Sequence, residues 1–222
     1  MDKLQLTRDG DVFTLKVSDG ENKIGPVALS EWNRALDAVL KTGSDKVLIV
    51  TGTDHYWSTG LDLDEVQRMS HLEREAFMAR FDALLAKVLA APFVTIAALN
   101  GHTYAGGGLL ALAHDYRIMR SDRGFFCLPS IDVGIPFTAG MAALIADKIP
   151  QPAAHDLVIS GREIGADEAL TAGIVMQSVS ADQVVPASAE MARGLTGKDA
   201  TTLSTVKRRM YHNSIRLLSR SS

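Results

Sequence analysis

Two short stretches of this 222-residue chain carry residue types that could do chemistry. The first is Asn100-Gly101-His102-Thr103-Tyr104-Ala105-Gly106-Gly107-Gly108, set between two apolar runs. At a strand-to-helix junction, three residues without Cβ let the backbone approach a ligand closely. The unpaired N–H groups and the positive end of the helix dipole suit a developing oxyanion or a phosphate. Close packing of helix on strand accounts for a glycine triplet about as well. The second stretch is Tyr56-Trp57-Ser58-Thr59-Gly60-Leu61-Asp62-Leu63. Its Gly60 can take an unusual backbone angle and leave the Leu61 amide open to a ligand. Alone, this reads as a helix entry capped by Asp62 or Asp64. Both loops in one chain favour chemistry.

Spacing removes several alternatives. The glycine run has neither the Gly-Lys-Ser/Thr ending of a P-loop nor the G-x-G-x-x-G pattern of a dinucleotide fold. Ser58 has Tyr56 where a nucleophile elbow needs glycine, and Ser130 has neither flanking glycine. Asp62, Asp64 and Glu65 sit at a helix start, where the dipole favours negative charge, so they read as caps and imply no metal. The single Cys127 has no partner for an internal disulfide, which points to a reducing compartment.

The elements that must position these loops follow from periodicity. Val12–Val17 alternates as a strand, Ser30 caps an amphipathic helix that Gly43 ends, and Lys46–Thr51 is a buried β-branched strand. A helix over Phe77–Leu89 stops near Pro92, Phe93–Leu99 is a second buried strand, and Leu109–Ala113 is an apolar helix. Short strands are expected over 117–119 and 124–128, and helices over 137–149, 153–159 and 166–172, with two more bounded by Gly194 and Gly197. With 46% hydrophobic residues, a formal charge of -3 and a pI near 6.1, the chain fits one compact α/β domain with no bulk attraction for nucleic acid or an anionic membrane. The alternating N-terminus is no signal peptide, no apolar run nears the ~20 residues of a membrane span, and Arg220-Ser221-Ser222 is not a peroxisomal address. A cytoplasmic location is expected.

The order YWSTGLDLDEV, then PFVTIAALNGHTYAGGGLLALAHDYRIMRSDRGFFCLPSIDVGI, then SGREIGADEALTAGIV resembles the enoyl-CoA hydratase/isomerase, or crotonase, superfamily over nearly the whole chain. The stretches TIAALNGH and AHDYRIMRSDRG look closest to plant peroxisomal-type Δ3,Δ2-enoyl-CoA isomerases. The resemblance implies a crotonase-like spiral of ββα units, with a core over 1–180 and a C-terminal helical trimerisation segment over 181–222. The family assembles as trimers or dimers of trimers. It also implies a coenzyme A thioester as substrate, with no separate cofactor.

By motif position, the backbone amides of Leu61 and Gly107 would form an oxyanion hole. Trp57, Ser58, Thr59, Gly60 and Gly106 would contact substrate, with carbonyls around 57–59 near the adenine. Leu110 and Ser130 stand where hydratases carry their two glutamates. The side chains left to consider are Ser130; Asp132, a displaced base if the segment is extended and otherwise a loop or cap aspartate; and His102 and Tyr104 beside the glycine run, with satisfaction of a buried backbone group as the alternative for His102. Glu163, Asp167 and Glu168 read as structural, and Lys207-Arg208-Arg209 as a solvated helix face, with CoA phosphates or a neighbouring subunit as alternatives. An isomerase-like enzyme that stabilises a thioester enolate is the expectation. A decarboxylase and a non-catalytic acyl-CoA-binding protein are the alternatives.

Overall fold

A computed structural model describes residues 3–43, 46–53 and 55–220. Asp54, just before the second of the two stretches, and the last two residues of the expected C-terminal segment lie outside these. The strands are β1 (Leu4–Asp9), β2 (Val12–Val17), β3 (Val47–Thr51), β4 (Tyr56–Ser58), β5 (Val94–Leu99), β6 (His102–Tyr104), β7 (Tyr116–Arg120), β8 (Phe126–Cys127) and β9 (Gln177–Val179). The helices are α1 (Pro26–Leu40), α2 (Leu63–Arg68), α3 (His71–Leu89), α4 (Gly106–Ala113), α5 (Ala139–Lys148), α6 (Gln151–Ser160), α7 (Ala166–Thr171), α8 (Val184–Arg193), α9 (Ala200–Met210) and α10 (His212–Leu218).

The β-branched runs become the interior of a six-stranded sheet ordered β1-β2-β3-β5-β7-β9, parallel except for the β1–β2 hairpin. Side chains alternate between its faces. Leu48 and Val50 join the main core, whereas Val47 and Ile49 pack with Val184 and Ala192 of α8 on the other face. With both faces covered, β3 and β5 are buried along their whole length. A second sheet, β4-β6-β8, is assembled from the short strands. The chain thus repeats a long strand, a short strand and a helix as β3-β4-α2, β5-β6-α4 and β7-β8-α5. These are the expected ββα units. No helix among the described residues is long and apolar enough to cross a membrane.

Several boundaries differ for local reasons. Ser30 does not cap α1. The helix starts at Pro26, whose fixed φ suits the first helical position, and the Ser30 hydroxyl donates to Pro26 O at 2.9 Å from inside the helix. Helix α3 starts six residues before Phe77, at a capping box in which Ser70 and Glu73 satisfy each other's backbone N–H groups. Lys207 is no member of a solvated face. It is 4% exposed, and its ammonium donates to Asp115 at 2.5 Å and to Phe93 O at 2.8 Å, while Arg208 and Arg209 are exposed.

Behind α4, His114 is fully buried, with Nδ1 2.8 Å from Leu110 O and Nε2 without a partner among the described residues. The neutral ring donating from Nδ1 satisfies that geometry, and burial pushes its pKa down to about 4. The unfolded chain takes up the proton near the ordinary value of about 6.5. Between these values the unfolded state binds more protons, so stability falls as pH falls. We expect a loss of about 2 kcal/mol between pH 7 and pH 5 from this group. Urea unfolding across that range should show this slope, and His114→Gln should remove it; an equal slope in both proteins would assign the acid sensitivity elsewhere.

Candidate active site

The two loops singled out above meet as backbone on backbone. Strands β4 and β6 run parallel and side by side, so the chain leaving each arrives at the same edge. After β4, Gly60 adopts φ +90, and a Cβ there would lie 2.6 Å from Gly106 N and 3.0 Å from Tyr104 O. Only glycine meets both demands. Ile24 N–H donates to Gly60 O at 2.7 Å and Asp62 N–H to Ile24 O at 3.1 Å, a bridge that turns the Leu61 amide the other way. That amide makes no backbone hydrogen bond among the described residues. Asp62 caps α2 through Glu65 N–H at 3.2 Å, as its position suggested.

After β6, Ala105 takes φ 48 and ψ -117, a strained conformation for alanine, and α4 begins at once. The glycine triplet is therefore the first turn of the helix and not a loop before it. Leu109 N–H is the first to find its helical acceptor, Ala105 O at 3.1 Å, so the three glycine amides before it are the helix's open donors. A Cβ on Gly106 would stand 3.2 Å from Leu61 N, and one on Gly107 only 2.4 Å from Ser58 O. The two backbones touch. The free Leu61 amide thus lies beside the positive end of α4, an arrangement that can stabilise negative charge on an oxygen.

A cavity of about 320 Å³ opens at this junction. Leu61 and Gly106 line it together with the apolar side chains of Met78, Phe81, Leu109, Phe137 and Met141. Its size suits a small-molecule acyl group. Thr59, Tyr104, Ser130, Cys127 and Glu163 also line it.

The candidate side chains divide. Trp57 and Ser58 are buried and hold the loop: the indole donates to Val50 O at 3.2 Å, and the Ser58 hydroxyl donates to Asn22 O at 2.8 Å while accepting from Gly60 N–H. Only their backbone is left to meet a ligand. Ser130 reaches the cavity wall, but its hydroxyl donates to Ile135 O, closing a tight loop with Ile135 N–H on Ser130 O at 3.1 Å. Asp132 does not share a face with Ser130, because residues 129–135 turn instead of extending; its exposed carboxylate lies against Gly161, outside the cavity lining. His102 stands behind the wall, its Nδ1 2.6 Å from the Tyr104 hydroxyl and its ring among Tyr56 and Phe125. Leu110 is fully buried.

Glu163 is the member that spacing arguments miss. It belongs to the segment after α6, where Phe126 and Ile164 exchange both backbone hydrogen bonds at 2.9 and 3.0 Å. Burial, and then Glu163's hydrogen bond and charge, hold the Tyr104 phenol above its ordinary pKa; burial and the same charge push the Cys127 thiol up to about 12. Both keep their protons at neutral pH.

The family model described as enoyl-CoA hydratase/isomerase matches residues 10–221. Enoyl-CoA delta isomerase 3 of Arabidopsis thaliana is 32% identical, over 96% of this chain and 94% of its own. Enoyl-CoA delta isomerase 2, peroxisomal, from the same plant is 32% identical over 93% and 91%. Among solved structures, an enoyl-CoA hydratase/isomerase family protein from Pseudomonas syringae superposes with a TM-score of 0.92 at 26% identity, covering 99% of this chain and 95% of that one.

Proposed function

Since the chain belongs to the enoyl-CoA hydratase/isomerase family of enzymes, close to the Δ3,Δ2-enoyl-CoA isomerases, we propose that it converts 3-enoyl-CoA thioesters to their conjugated 2-enoyl isomers. The observation that supports this reading is the meeting of the Leu61 and Gly106 backbones on the wall of an apolar cavity, with the Leu61 amide and the first-turn amides of α4, Gly107 among them, making no backbone hydrogen bond among the described residues. The thioester carbonyl oxygen accepts from the Leu61 and Gly107 amides. Loss of the α-proton sends the C–H electron pair into a C1–C2 double bond, and the carbonyl electrons move onto the oxygen that the two amides face. Protonation at the γ-carbon then draws the former C3–C4 pair to that carbon, leaves the double bond between C2 and C3, and restores the carbonyl. No oxidant, reductant or separate cofactor is consumed. The amides act where charge develops, so they lower the barrier more than they tighten ground-state binding.

The apolar body formed by Met78, Phe81, Leu109, Phe137 and Met141 suits the hydrocarbon part of the acyl chain. An assembly of three copies, or two such rings, goes with this reading and is checked by sedimentation. The deciding assay incubates purified protein with a 3-enoyl-CoA and follows the ultraviolet absorbance of the conjugated product. Turnover is the expected result. Tight acyl-CoA binding without any conversion would instead leave the cavity as a binding site.

A further inference from the structure

Proton transfer needs a base, and the cavity wall offers few. Of its side chains, Tyr104, Cys127 and Glu163 can titrate, and the first two hold their protons at neutral pH. The Ser130 hydroxyl is committed to Ile135 O, and Asp132 lies outside the wall. Glu163 is the carboxylate that remains among the described lining residues.

Strand register explains why it points there. Tyr104 of β6 pairs with Cys127 of β8, and the antiparallel bridge between Phe126 and Ile164 sets Glu163 beside Cys127. Tyr104, Cys127 and Glu163 thus form one cross-strand row, and the neighbouring row, Thr103, Phe126 and Ile164, points the other way and is buried. Alternation between faces fixes both rows. Two backbone hydrogen bonds on Ile164 hold the register, so Glu163 is anchored at its root although its side chain reaches solvent. All three members of the first row line the cavity.

We propose that Glu163 is the catalytic base of this enzyme, removing the α-proton of the bound thioester and delivering a proton to the γ-carbon. The proposal rests on the isomerase reading for its second half alone. In the first step the carboxylate oxygen gains the proton and the carbon's electron pair enters the enolate; in the second the same O–H bond breaks as the γ C–H bond forms. The carboxylate ends as it began.

The test separates base from reaction. Wild type, Glu163→Gln and Glu163→Asp are compared in three measurements: acyl-CoA affinity by calorimetry, isomerisation of 3-enoyl-CoA, and exchange of the α-protons of a saturated acyl-CoA with deuterium oxide. The saturated substrate cannot isomerise. Glutamine keeps the shape and the hydrogen-bonding capacity but removes the basicity, so kcat and exchange should fall about 100- to 10,000-fold with affinity within about threefold. Aspartate, which keeps a carboxylate on a shorter stem, should fall between. Retained affinity also reports a folded site. Exchange without isomerisation in wild type, abolished in Glu163→Gln, supports the base and overturns the isomerase reading. Exchange in Glu163→Gln within threefold of wild type overturns the base, and so does its absence from wild type.

Discussion

On the proposed mechanism, Gly107→Ala is expected to lose about 100- to 1,000-fold in kcat/KM, the cost of misplacing one of the two proposed oxyanion donors. Alanine is the best helix former, and Gly107 lies inside α4, so the substitution is favourable for the helix considered alone. The damage comes from elsewhere. Its methyl group would sit 2.4 Å from Ser58 O and 3.0 Å from Ser58 C, both backbone atoms that cannot rotate aside. The start of α4 must therefore draw back from β4, and the Gly107 amide moves with it. Gly106→Ala gives a milder version: its Cβ would stand 3.2 Å from Leu61 N, in front of the other free amide. It should lose less stability while still lowering the rate. Rates, acyl-CoA affinity and urea midpoints on both variants check this. A Gly107→Ala protein that turns over within threefold of wild type would remove the two-amide site from the mechanism.

The meeting of the two loops was legible because it depends on residue types that only close backbone approach explains. Gly60 and the glycine triplet announce close approach wherever they fall, and the β-branched runs around 47–51 and 94–99 announce buried strands on either side of them. Glu163 was not legible. Its place on the cavity wall depends on the pairing of Phe126 with Ile164, a contact between distant segments that local pattern does not encode. The shared face expected for Asp132 and Ser130 fails for the opposite reason: it assumed extended backbone after β8, whereas Pro129 O, Ser130 O and Ile131 O accept from Val133, Ile135 and Gly134 and wind the segment into turns. Ser130 presents a similar lesson. Its hydroxyl is taken up by Ile135 O within its own loop, a contact that motif position does not reveal. The Lys207 reading failed because local charge pattern describes a helix's average face, and its partner lies 92 residues away.

That partner supplies the other large effect, since Asp115 links three elements behind the site. Its Oδ2 accepts from Thr95 N–H at 2.8 Å, from the Thr95 hydroxyl at 3.1 Å and from Lys207 at 2.5 Å. It thereby ties the start of β5 and the residue pair after α4 to helix α9. Burial works against the Lys207 charge and lowers its pKa, while Asp115 opposes that shift. Asp115→Ala leaves an ammonium enclosed with Phe93 O as its remaining partner among the described residues and frees the Thr95 donors. Breaking a buried pair in this way costs about 3–5 kcal/mol, which for a chain of this size is a fall of about 10 °C in Tm. Replacing both members, as Asp115→Asn with Lys207→Met, removes the enclosed charge, and the double variant should recover most of the loss. The single and double substitutions, measured by urea unfolding, form a cycle whose coupling energy isolates the pair. A coupling near zero would mean that water reaches Lys207 and that α9 is held by its apolar contacts alone. A large coupling would mean that α4, whose first turn carries the Gly107 amide, is fixed near its far end by an ion pair on the residue after His114.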